Sequence, residues 1–329
     1  GDQLSMTSTD MELEMIATLP VAVEEEGKTT VSARKLLDIV RALPGNATIS
    51  VNASEGKAVV KAGKSRFSLA TLSSDDFPDS EGANYMDEIS LPQSALKSLL
   101  DETSFAMASQ DVRYYLNGLL LERDDTTLRA VATDGHRLAL GSLTTSTPVS
   151  EKNSVIVPRK AIIELGRLLN DSDDTVKVAF SNQQIKVELP DIHFTSKLID
   201  GQFPNYERVL PLGGDKEVLA DRDELKQALS RAAILSNDKH RSVRINLETD
   251  QLKATVTNQE QESAEEEISV DYKGAPLEIA FNNAYLLDLL NAIPDNKVKL
   301  LFTDETSSAL VTPADEKFER QYVVMPMRL

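Results

Sequence analysis

The sequence predicts an α+β protein made of three copies of one strand-rich unit, with helices on one face of each copy. Three observations predict this class. One helix-opening segment occurs three times, a second helix segment occurs twice, and the stretches between them alternate apolar and polar residues. Because repetition at a fixed interval reports the architecture of a whole chain, it outweighs any single short motif.

The first repeated segment opens an amphipathic helix after a β-rich run. It occurs at Val31–Ile39, at Val157–Leu165 and at Phe281–Leu289, so the spacing is 126 residues (31 to 157) and then 124 (157 to 281). In each copy an acidic residue is flanked by aliphatic residues, namely Asp38, Glu164 and Asp288. The common order predicts a helix at the same place in each copy.

A second helix segment and several strands complete the predicted unit. Leu91–Leu100 is matched 129 residues later by Ala220–Leu229 (91 to 220). Period-two alternation predicts half-buried strands at Lys57–Ala62, Thr175–Phe180 and Gln183–Leu189. Short polar turns join such strands, at 181–182, 248–251 and 304–305.

Turn-rich breaks near residues 78–87 and 211–215 predict three domains, 1–87, 88–215 and 216–329. The first copy looks incomplete. Asp134 follows Leu91 by 43 residues (91 to 134), whereas the matching acid of the first copy, Asp10, is the tenth residue of the sequence. We therefore expect about 35–40 residues of this unit to be absent at the amino end, by comparison of the repeats. Whether such a short form is natural stays open.

Composition restricts the functional classes. The chain has 329 residues, a net charge of −18 and no cysteine, which excludes disulfides, thiolate metal sites and a cysteine nucleophile. No apolar run reaches the roughly 18 residues of a membrane helix, and no secretion leader opens the sequence, so we expect a cytoplasmic protein without membrane contact. A body this acidic can meet nucleic acid only through a local basic face.

Motifs for chemistry are missing, so we expect no catalytic residue, metal or cofactor. The sequence contains no phosphate-binding Gly-rich loop, no nucleophile elbow and no zinc-protease motif. One cluster, Thr133–Arg137, places Asp134 and His136 two residues apart, as acid–base chemistry could require. However, Asp-Gly between two strand-like runs is also a strong hairpin signal, which favours a structured turn.

Four long motifs resemble the family of the bacterial DNA polymerase III β subunit, the sliding clamp. They are Ala132–Ala139 (ATDGHRLA), Arg113–Gly118 (RYYLNG), Phe194–Gly201 (FTSKLIDG) with Phe203 and Pro204, and Tyr322–Leu329 (YVVMPMRL). The similarity runs in register from Gly1 to Leu329. It implies three clamp domains per chain, with antiparallel sheets outside and two helices per copy inside, and two chains per ring. It also implies a non-catalytic processivity factor whose partners are duplex DNA, polymerases, the clamp loader and repair proteins.

A basic inner wall is the first site that the resemblance implies. Arg34 and Arg41 lie seven residues apart, on one helix face, and Lys160 and Arg167 occupy the same positions one repeat later. The third copy has Ala284 and Asn291 there, for which Lys226 and Arg231 on the other helix family are possible substitutes. By resemblance the further DNA-facing residues are Gln110, Arg113, Tyr114, Tyr115 and Arg159. An ordinary solvated helix face is the alternative interpretation.

A groove for partner peptides is the second implied site. Carried over to matching positions, it comprises Tyr115, Leu116, Thr133, Gly135, His136, Arg137, Leu138, Pro204, Val209, Asn282, Tyr285, Ser308, Val323, Met325, Pro326, Met327, Arg328 and Leu329. Thioethers at an accessible chain end suit many partners that share a short apolar motif. The alternative is a last strand packed in a core. Thr306 departs from the apolar residue that the family often has there.

The third implied site is a head-to-tail seam between two chains of a homodimer. On one side the resemblance places Lys35, Lys64, Arg66, Phe67 and Leu69. On the other side it places Ile234, Leu235, Glu260, Glu262, Glu265 and Glu266, in an acidic run that continues to Glu267. Opposite charges on the two faces would favour their pairing, although an acidic run is also typical of a solvated face.

Two other functional classes stay open. The first is a small-molecule hydrolase that uses Asp134 and His136. The second is an interaction scaffold that never encircles DNA, which would follow if the short first copy were natural.

Overall fold

The chain forms two compact units. The computed structural model describes residues 2–54, 56–78, 83–211, 213–236, 241–315, 317 and 319–328. The first unit consists of Gly1–Asn84 with Lys186–Thr195, and the second consists of Tyr85–Ile185 with Ser196–Leu329. Of the predicted site residues, Leu329 lies outside the described residues.

Among its described residues, the first unit contains one α-helix and two groups of strands. Its elements are β1 (Gln3–Thr9), β2 (Leu13–Pro20), α1 (Ala33–Ala42), β3 (Ile49–Ser54), β4 (Lys57–Ala62) and β5 (Ser65–Ala70). β1 pairs antiparallel with β2, and β4 lies between β3 and β5 with antiparallel pairing on both sides. The side chain of Ser32 caps α1 by accepting a hydrogen bond from the Lys35 amide, as a residue at this position should.

The described residues of the second unit form four α-helices and most of the strands. Its elements, including two strands that the unit boundary divides, are β6 (Asp87–Pro92), α2 (Gln93–Asp101), β7 (Gly118–Asp124), β8 (Thr127–Thr133), β9 (Arg137–Thr144), β10 (Asn153–Pro158), α3 (Arg159–Leu168), β11 (Thr175–Phe180), β12 (Gln184–Glu188), β13 (Ile192–Lys197), β14 (Lys216–Asp221), α4 (Arg222–Ala232), β15 (Ser242–Glu248), β16 (Gln251–Thr257), β17 (Ser263–Ser269), β18 (Leu277–Asn282), α5 (Asn283–Ala292), β19 (Lys297–Phe302), β20 (Ala309–Pro313) and β21 (Arg320–Val324). β12 and β13 are the divided strands, and their residues 186–195 cluster with the first unit.

An eight-stranded antiparallel sheet organises the second unit. Its order is β10-β7-β8-β9-β21-β20-β19-β14, so the last strand of the chain lies between β9 and β20. A four-stranded sheet, β17-β16-β15-β18, lies in the same unit. The side chain of Asn283 on α5 donates to the Leu229 carbonyl on α4 at 2.9 Å and joins the two helices of this region.

Each of the five α-helices in the described part of the chain begins two residues after the start of its repeated segment. α1, α3 and α5 follow the starts at 31, 157 and 281, and α2 and α4 follow those at 91 and 220. The predicted strands at 57–62 and 175–180 are confirmed residue for residue as β4 and β11. Within the described residues, the longest helix has 11 residues and no helix is long and apolar enough to cross a membrane.

Candidate functional site

The last strand of the chain is held from both sides. Val323 on β21 lies opposite Leu138 on β9 and opposite Leu310 on β20. Beyond the strand, the Met325 amide donates to the His136 carbonyl at 2.9 Å, and the Met327 amide donates to the Ala280 carbonyl at 2.8 Å. The terminal segment therefore has a defined path along the surface of the second unit.

Beside this segment lies an apolar floor. The buried residues of the cluster are Leu120, Val131, Leu138, Leu140, Ile156, Tyr206 and Val323. Half-buried apolar residues pack against them, namely Tyr115, Ile199, Phe203, Leu210 and Leu310. Because half-buried members keep part of their surface in water, the cluster is partly open to solvent.

Four exposed apolar residues lie within a few positions of floor residues in the chain. Val209 is 47% exposed, Met325 46% and Met327 40%, and Pro204 is also exposed. Large apolar residues that are exposed next to an open apolar cluster are typical of a binding surface. We call the floor, these four residues and the turn at residues 133–137 the apolar groove.

A cavity of about 420 Å³ continues from the groove. It shares Leu120, Ile156, Phe203, Pro204 and Tyr206 with the groove, and Glu122 and Lys152 are among its other lining residues. The Tyr206 hydroxyl donates to Glu122 at 2.7 Å, while Lys152 and Arg129 contact the same carboxylate at 3.0 and 3.1 Å.

Burial and hydrogen bonding in this network shift two pKa values in opposite directions. Burial opposes ionisation of Glu122, but the three donors outweigh it and lower the pKa of that carboxyl. Burial, together with the hydrogen bond to Glu122, raises the pKa of the Tyr206 hydroxyl. Glu122 is therefore charged and Tyr206 is a neutral donor at neutral pH.

Arg137 fixes the turn at one end of the groove. Its Nε donates to Asp134 at 3.0 Å, its Nη1 to Asp288 at 2.6 Å and its Nη2 to the Phe105 carbonyl at 3.0 Å. Its guanidinium lies 4.5 Å from the centre of the Tyr285 ring and 5.3 Å from that of Phe105. With every nitrogen in use, Arg137 joins β9 to α5.

The other predicted groove residues of the turn and of α5 surround Arg137. The Thr133 hydroxyl donates to the Arg137 carbonyl at 2.6 Å, and Gly135 has a φ of +89°. His136 is exposed, and its ring faces that of Tyr285 at 6.4 Å. Burial, reinforced by the nearby Asp134 charge, raises the pKa of the Tyr285 hydroxyl, which is therefore neutral at physiological pH.

The remaining groove predictions differ in exposure. Leu116 is buried at 1% exposure, Ser308 and Pro326 are half-buried, and Arg328 is exposed. Asn282 caps α5 by accepting a hydrogen bond from the Ala284 amide at 3.0 Å. Leu116 therefore supports the groove from the interior, and Asn282 supports it by capping α5.

Sequence reasoning missed residues that organise the groove, above all Asp288 and Phe105. Asp288 had been recognised only as a repeated acid, and its partner Arg137 is 151 residues away in the chain. Phe105 follows α2 and gave no periodic signal. No local pattern links either residue to Arg137, because the contact is made only by the fold.

Predicted DNA-facing residues occur in both units. On α1, Arg34 and Arg41 are exposed, and Arg34 lies 3.6 Å from Asp38. In the second unit, Arg167 pairs with Glu164 at 2.7 Å, while Arg159 donates to the Met107 carbonyl at 3.1 Å.

The other predicted DNA-facing residues lie either in the segment before β7 or in the first turn of α3. The Tyr114 and Tyr115 rings meet edge to face at 5.8 Å, and Lys160 is exposed on α3. Gln110 adopts a positive φ of 58° in the loop before Arg113. Three hydrogen bonds from Arg113, two from its side chain and one from its backbone amide, hold the Asp111 carboxylate and lower its pKa to about 2.

The predicted seam residues of the first unit are mostly exposed, but one is not. Lys35, Lys64 and Arg66 are exposed and Phe67 is half-buried. Leu69 is only 9% exposed, so its side chain belongs to the interior of the first unit and offers little contact surface.

In the second unit, the apolar and acidic parts of the predicted seam differ in availability. Ile234 is 78% exposed and Leu235 is half-buried. Glu260 and Glu262 are exposed, but Glu266 accepts two hydrogen bonds from Arg231 and Glu265 lies 2.7 Å from Lys253. The acidic face is therefore partly neutralised within its own unit.

The Asp134 carboxylate is fully engaged. One oxygen accepts from the His136 and Arg137 amides, at 2.9 and 3.1 Å, and the other accepts from the Arg137 side chain. These bonds build the turn that the Asp-Gly signal predicted. Among the described residues no cluster of three or more His, Cys, Asp or Glu could hold a metal ion.

Comparison with known proteins identifies the family. Models described as the N-terminal, central and C-terminal domains of the DNA polymerase III beta subunit match residues 1–81, 90–205 and 207–328. The beta sliding clamp of Pseudomonas aeruginosa is 51% identical, over 100% of this chain and 90% of its own length. That of Escherichia coli K12 is 49% identical, over 99% and 89%.

Solved structures agree. A crystal structure of the P. aeruginosa sliding clamp with ligand matches with a TM-score of 0.96 at 51% identity, over 100% of this chain and 90% of that one. A structure of the same organism's clamp bound to griselimycin gives 0.96 at 51% identity, over 100% and 89%. The predicted α+β class with three clamp domains and antiparallel sheets is thereby confirmed. The chain belongs to the family of the DNA polymerase III beta subunit, the beta sliding clamps.

Proposed function

We propose that this chain is a non-catalytic sliding clamp. It encircles duplex DNA as a head-to-tail dimeric ring in the cytoplasm and tethers polymerases to it, which makes synthesis processive. The observation that carries this proposal is the apolar groove, with its open floor and its exposed Met325 and Met327. The three domains of the proposed ring subunit are 1–87, 88–215 and 216–329.

The groove suits short apolar peptide motifs. Its floor is aliphatic and aromatic, and two of its exposed side chains are flexible thioethers that adapt to different partners. The fixed elements are Arg137, which uses all its nitrogens within the turn, and the terminal backbone, tied at Met325 and Met327. A surface that is rigid in its backbone and adaptable in its side chains can serve replicative polymerases, the clamp loader and repair proteins in turn.

DNA binding by the inner wall is electrostatic and independent of sequence. Arg34, Arg41, Lys160 and Arg167 contact phosphates, with Gln110, Arg113, Tyr114, Tyr115 and Arg159 as further contributors. Acidic neighbours such as Asp38 and Glu164 weaken the attraction, and the net charge of −18 repels DNA elsewhere. A loose contact of this kind holds DNA without preventing sliding.

The proposed seam joins Ile234 and Leu235 of one chain to Phe67 of the next. Ile234 is a large apolar side chain that is 78% exposed, so its burial against a second chain would be favourable. Lys35, Lys64 and Arg66 face Glu260 and Glu262, whereas Glu265 and Glu266 contribute less because each has a cationic partner in its own unit.

The groove is tested with a fluorescent peptide that carries a short apolar motif. Met325→Ala with Met327→Ala should weaken binding, measured by anisotropy, and deletion of 325–329 should abolish it. Met86→Ala is the matched control, because Met86 is a 60% exposed methionine outside the groove. Unchanged affinity in the deletion, with the thermal transition preserved, would remove the groove from the proposal.

The inner wall is tested on linear DNA at several salt concentrations. We expect weak binding, on the order of 10⁻⁴–10⁻⁶ M, for every sequence alike. Reversal of Arg34, Arg41, Lys160 and Arg167 to Glu should weaken it and flatten its salt dependence. Reversal of Lys28, Arg244, Lys273 and Lys317, four other cations with acidic partners, makes the same change in net charge. Equal losses in the two quadruple variants would contradict a localised wall.

A further inference from the structure

A buried ion pair lies at the start of the last strand. Arg320 and Glu102 are 5% and 7% exposed, and Arg320 Nε donates a hydrogen bond to Glu102 Oε2. The Ser98 hydroxyl donates to the other carboxylate oxygen. Arg320 Nη1 donates to the Ser142 carbonyl at 2.9 Å. Both charges are therefore compensated, and the pair joins the end of α2 to the first residue of β21.

The neighbouring strand leaves room for this arginine. Gly141 on β9 lies opposite Arg320 in the strand register. A Cβ atom on Gly141 would lie 3.0 Å from Arg320 Cδ and 2.8 Å from Leu99 Cδ1, closer than side chains pack. Any side chain at position 141 would therefore require Leu99 and Arg320 to shift, so the glycine fits the position opposite this arginine.

The pair acts on the groove through one continuous strand. β21 runs from Arg320 to Val324, with Val323 in the groove floor and Met325 immediately beyond. Met325 is about 17 Å along the strand from Arg320, at about 3.4 Å per residue. A slip of one residue would turn every side chain of the strand to the opposite face, so the register at Arg320 decides which residues face a bound peptide.

Stability alone does not account for such a pair. A buried ion pair commonly contributes no more than well-packed apolar residues of the same volume, yet removal of one partner leaves a costly unpaired charge. Apolar packing is not directional, so apolar residues can pack in several strand registers. The directional hydrogen bonds between a carboxylate and a guanidinium form in only one register.

We infer that Glu102 and Arg320 are positioning residues for the apolar groove: their ion pair holds the last strand in the register that presents Met325 and Met327 to a partner peptide. Neither residue touches the peptide. The inference rests on the proposed groove function and adds to it the device that sets the groove's geometry.

Three variants test the inference. Arg320→Met leaves Glu102 buried without its partner. Glu102→Leu with Arg320→Met fills the space with apolar atoms and removes both charges. Arg123→Met is the matched control, since Arg123 is 1% exposed and pairs with Asp87 at 3.2 Å but lies on β7, away from β21. Each protein is measured for peptide affinity by anisotropy, for thermal unfolding, and for hydrogen exchange of the Met325 and Met327 amides.

We expect Arg320→Met to weaken peptide binding about tenfold, a change typical of residues that couple to a site without touching it. It should also accelerate exchange at both amides. Arg123→Met should lower the melting temperature comparably but leave affinity and exchange unchanged. The double variant should recover the melting temperature but not the affinity. If Arg320→Met fails to fold, the double variant carries the test.

Three results would overturn the inference: wild-type affinity in Arg320→Met, an equal loss of affinity in Arg123→Met, or full recovery of affinity in the double variant. If the wild-type chain binds no apolar peptide, the proposed groove function fails. In that case, hydrogen exchange of the Met325 and Met327 amides still decides whether the pair positions the strand. The exchange rates in Arg320→Met are compared with those in Arg123→Met.

Discussion

Two turns of this protein are built alike, one at residues 9–13 in the first unit and one at 133–137 in the second. In each, a threonine hydroxyl donates to the carbonyl four residues on, at 2.7 and 2.6 Å. In each, an aspartate oxygen accepts from the amides two and three residues on, at distances between 2.8 and 3.1 Å. The residue after the aspartate has positive φ in both, +76° at Met11 and +89° at Gly135.

The two turns differ in the side chain that follows them. The fifth residue of the first turn is Leu13, which is 7% exposed and belongs to the interior of its unit. The fifth residue of the second turn is Arg137, which reaches out to Asp288 and Tyr285 on α5. The same backbone arrangement thus forms a simple hairpin in one place and part of the proposed groove in the other. The comparison teaches that the turn is determined by residues that are close in the chain, whereas the site depends on contacts with distant ones.

The largest effect is expected when the fifth residue of the first turn, Leu13, is replaced by the fifth residue of the second turn, an arginine. Leu13→Arg places a charge at a position that is only 7% exposed, so the first unit should lose about 4 kcal/mol or more of unfolding free energy. Urea unfolding, with hydrogen exchange reporting each unit separately, measures the loss. Leu13→Met is the control, because it keeps an apolar side chain of similar volume. A loss below that of Leu13→Met would mean that the first turn also tolerates a charged fifth residue.

Arg137→Leu, the reciprocal change, gives the second turn the fifth residue of the first. It removes the contacts to Asp134 and Asp288 and should cost about 2 kcal/mol, less than for a fully buried pair because Asp288 is half exposed. Peptide binding in the groove should also weaken, since the turn is no longer joined to α5. Unfolding and anisotropy on the same sample give both numbers, and unchanged peptide affinity would show that Arg137 supports the fold alone.

Gly135→Ala and Met11→Gly exchange backbone freedom between the turns. Gly135→Ala should cost about 1 kcal/mol, because its φ is positive and a Cβ would lie 3.0 Å from Arg113. Met11→Gly should change stability by less than about 0.5 kcal/mol, since the relief of positive φ is offset by the freedom of glycine in the unfolded chain. Thermal melts of both variants decide the point. The comparison fails if Met11→Gly is the more harmful change.

The smallest expected effect concerns Arg113, which donates to the Asp134 carbonyl at 3.1 Å and has no counterpart at the first turn among the described hydrogen bonds. Its partner Asp111 has a pKa of about 2, below the ordinary 3.8. A depressed folded-state pKa means that the contribution to stability is complete above about 3.8 and is lost as pH falls through about 2. In Arg113→Gln the Asp111 pKa, followed by its carboxyl carbon shift in NMR, should rise toward 3.8. An unchanged midpoint would assign the shift to another donor.

Local patterns predicted much of this protein. The repeated segments gave the start of all five described helices, because an amphipathic period and an N-cap such as Ser32 act within a few residues. Alternation gave β4 and β11, and Asp-Gly gave the turn before β9. The motifs around Arg137 and the chain end also identified the family before any contact was known.

Only the tertiary structure decided what those residues contact. Asp288 meets Arg137 across 151 positions and Glu102 meets Arg320 across 218, and neither pair has a signal in the sequence near either partner. The burial of Leu69 and the pairing of Glu266 with Arg231 were likewise decided by packing. The physical reason is the distance along the chain between the residues that interact. Turns and helices are set by bonds between near neighbours in the chain, whereas a groove is set by which distant strands pair and in which register.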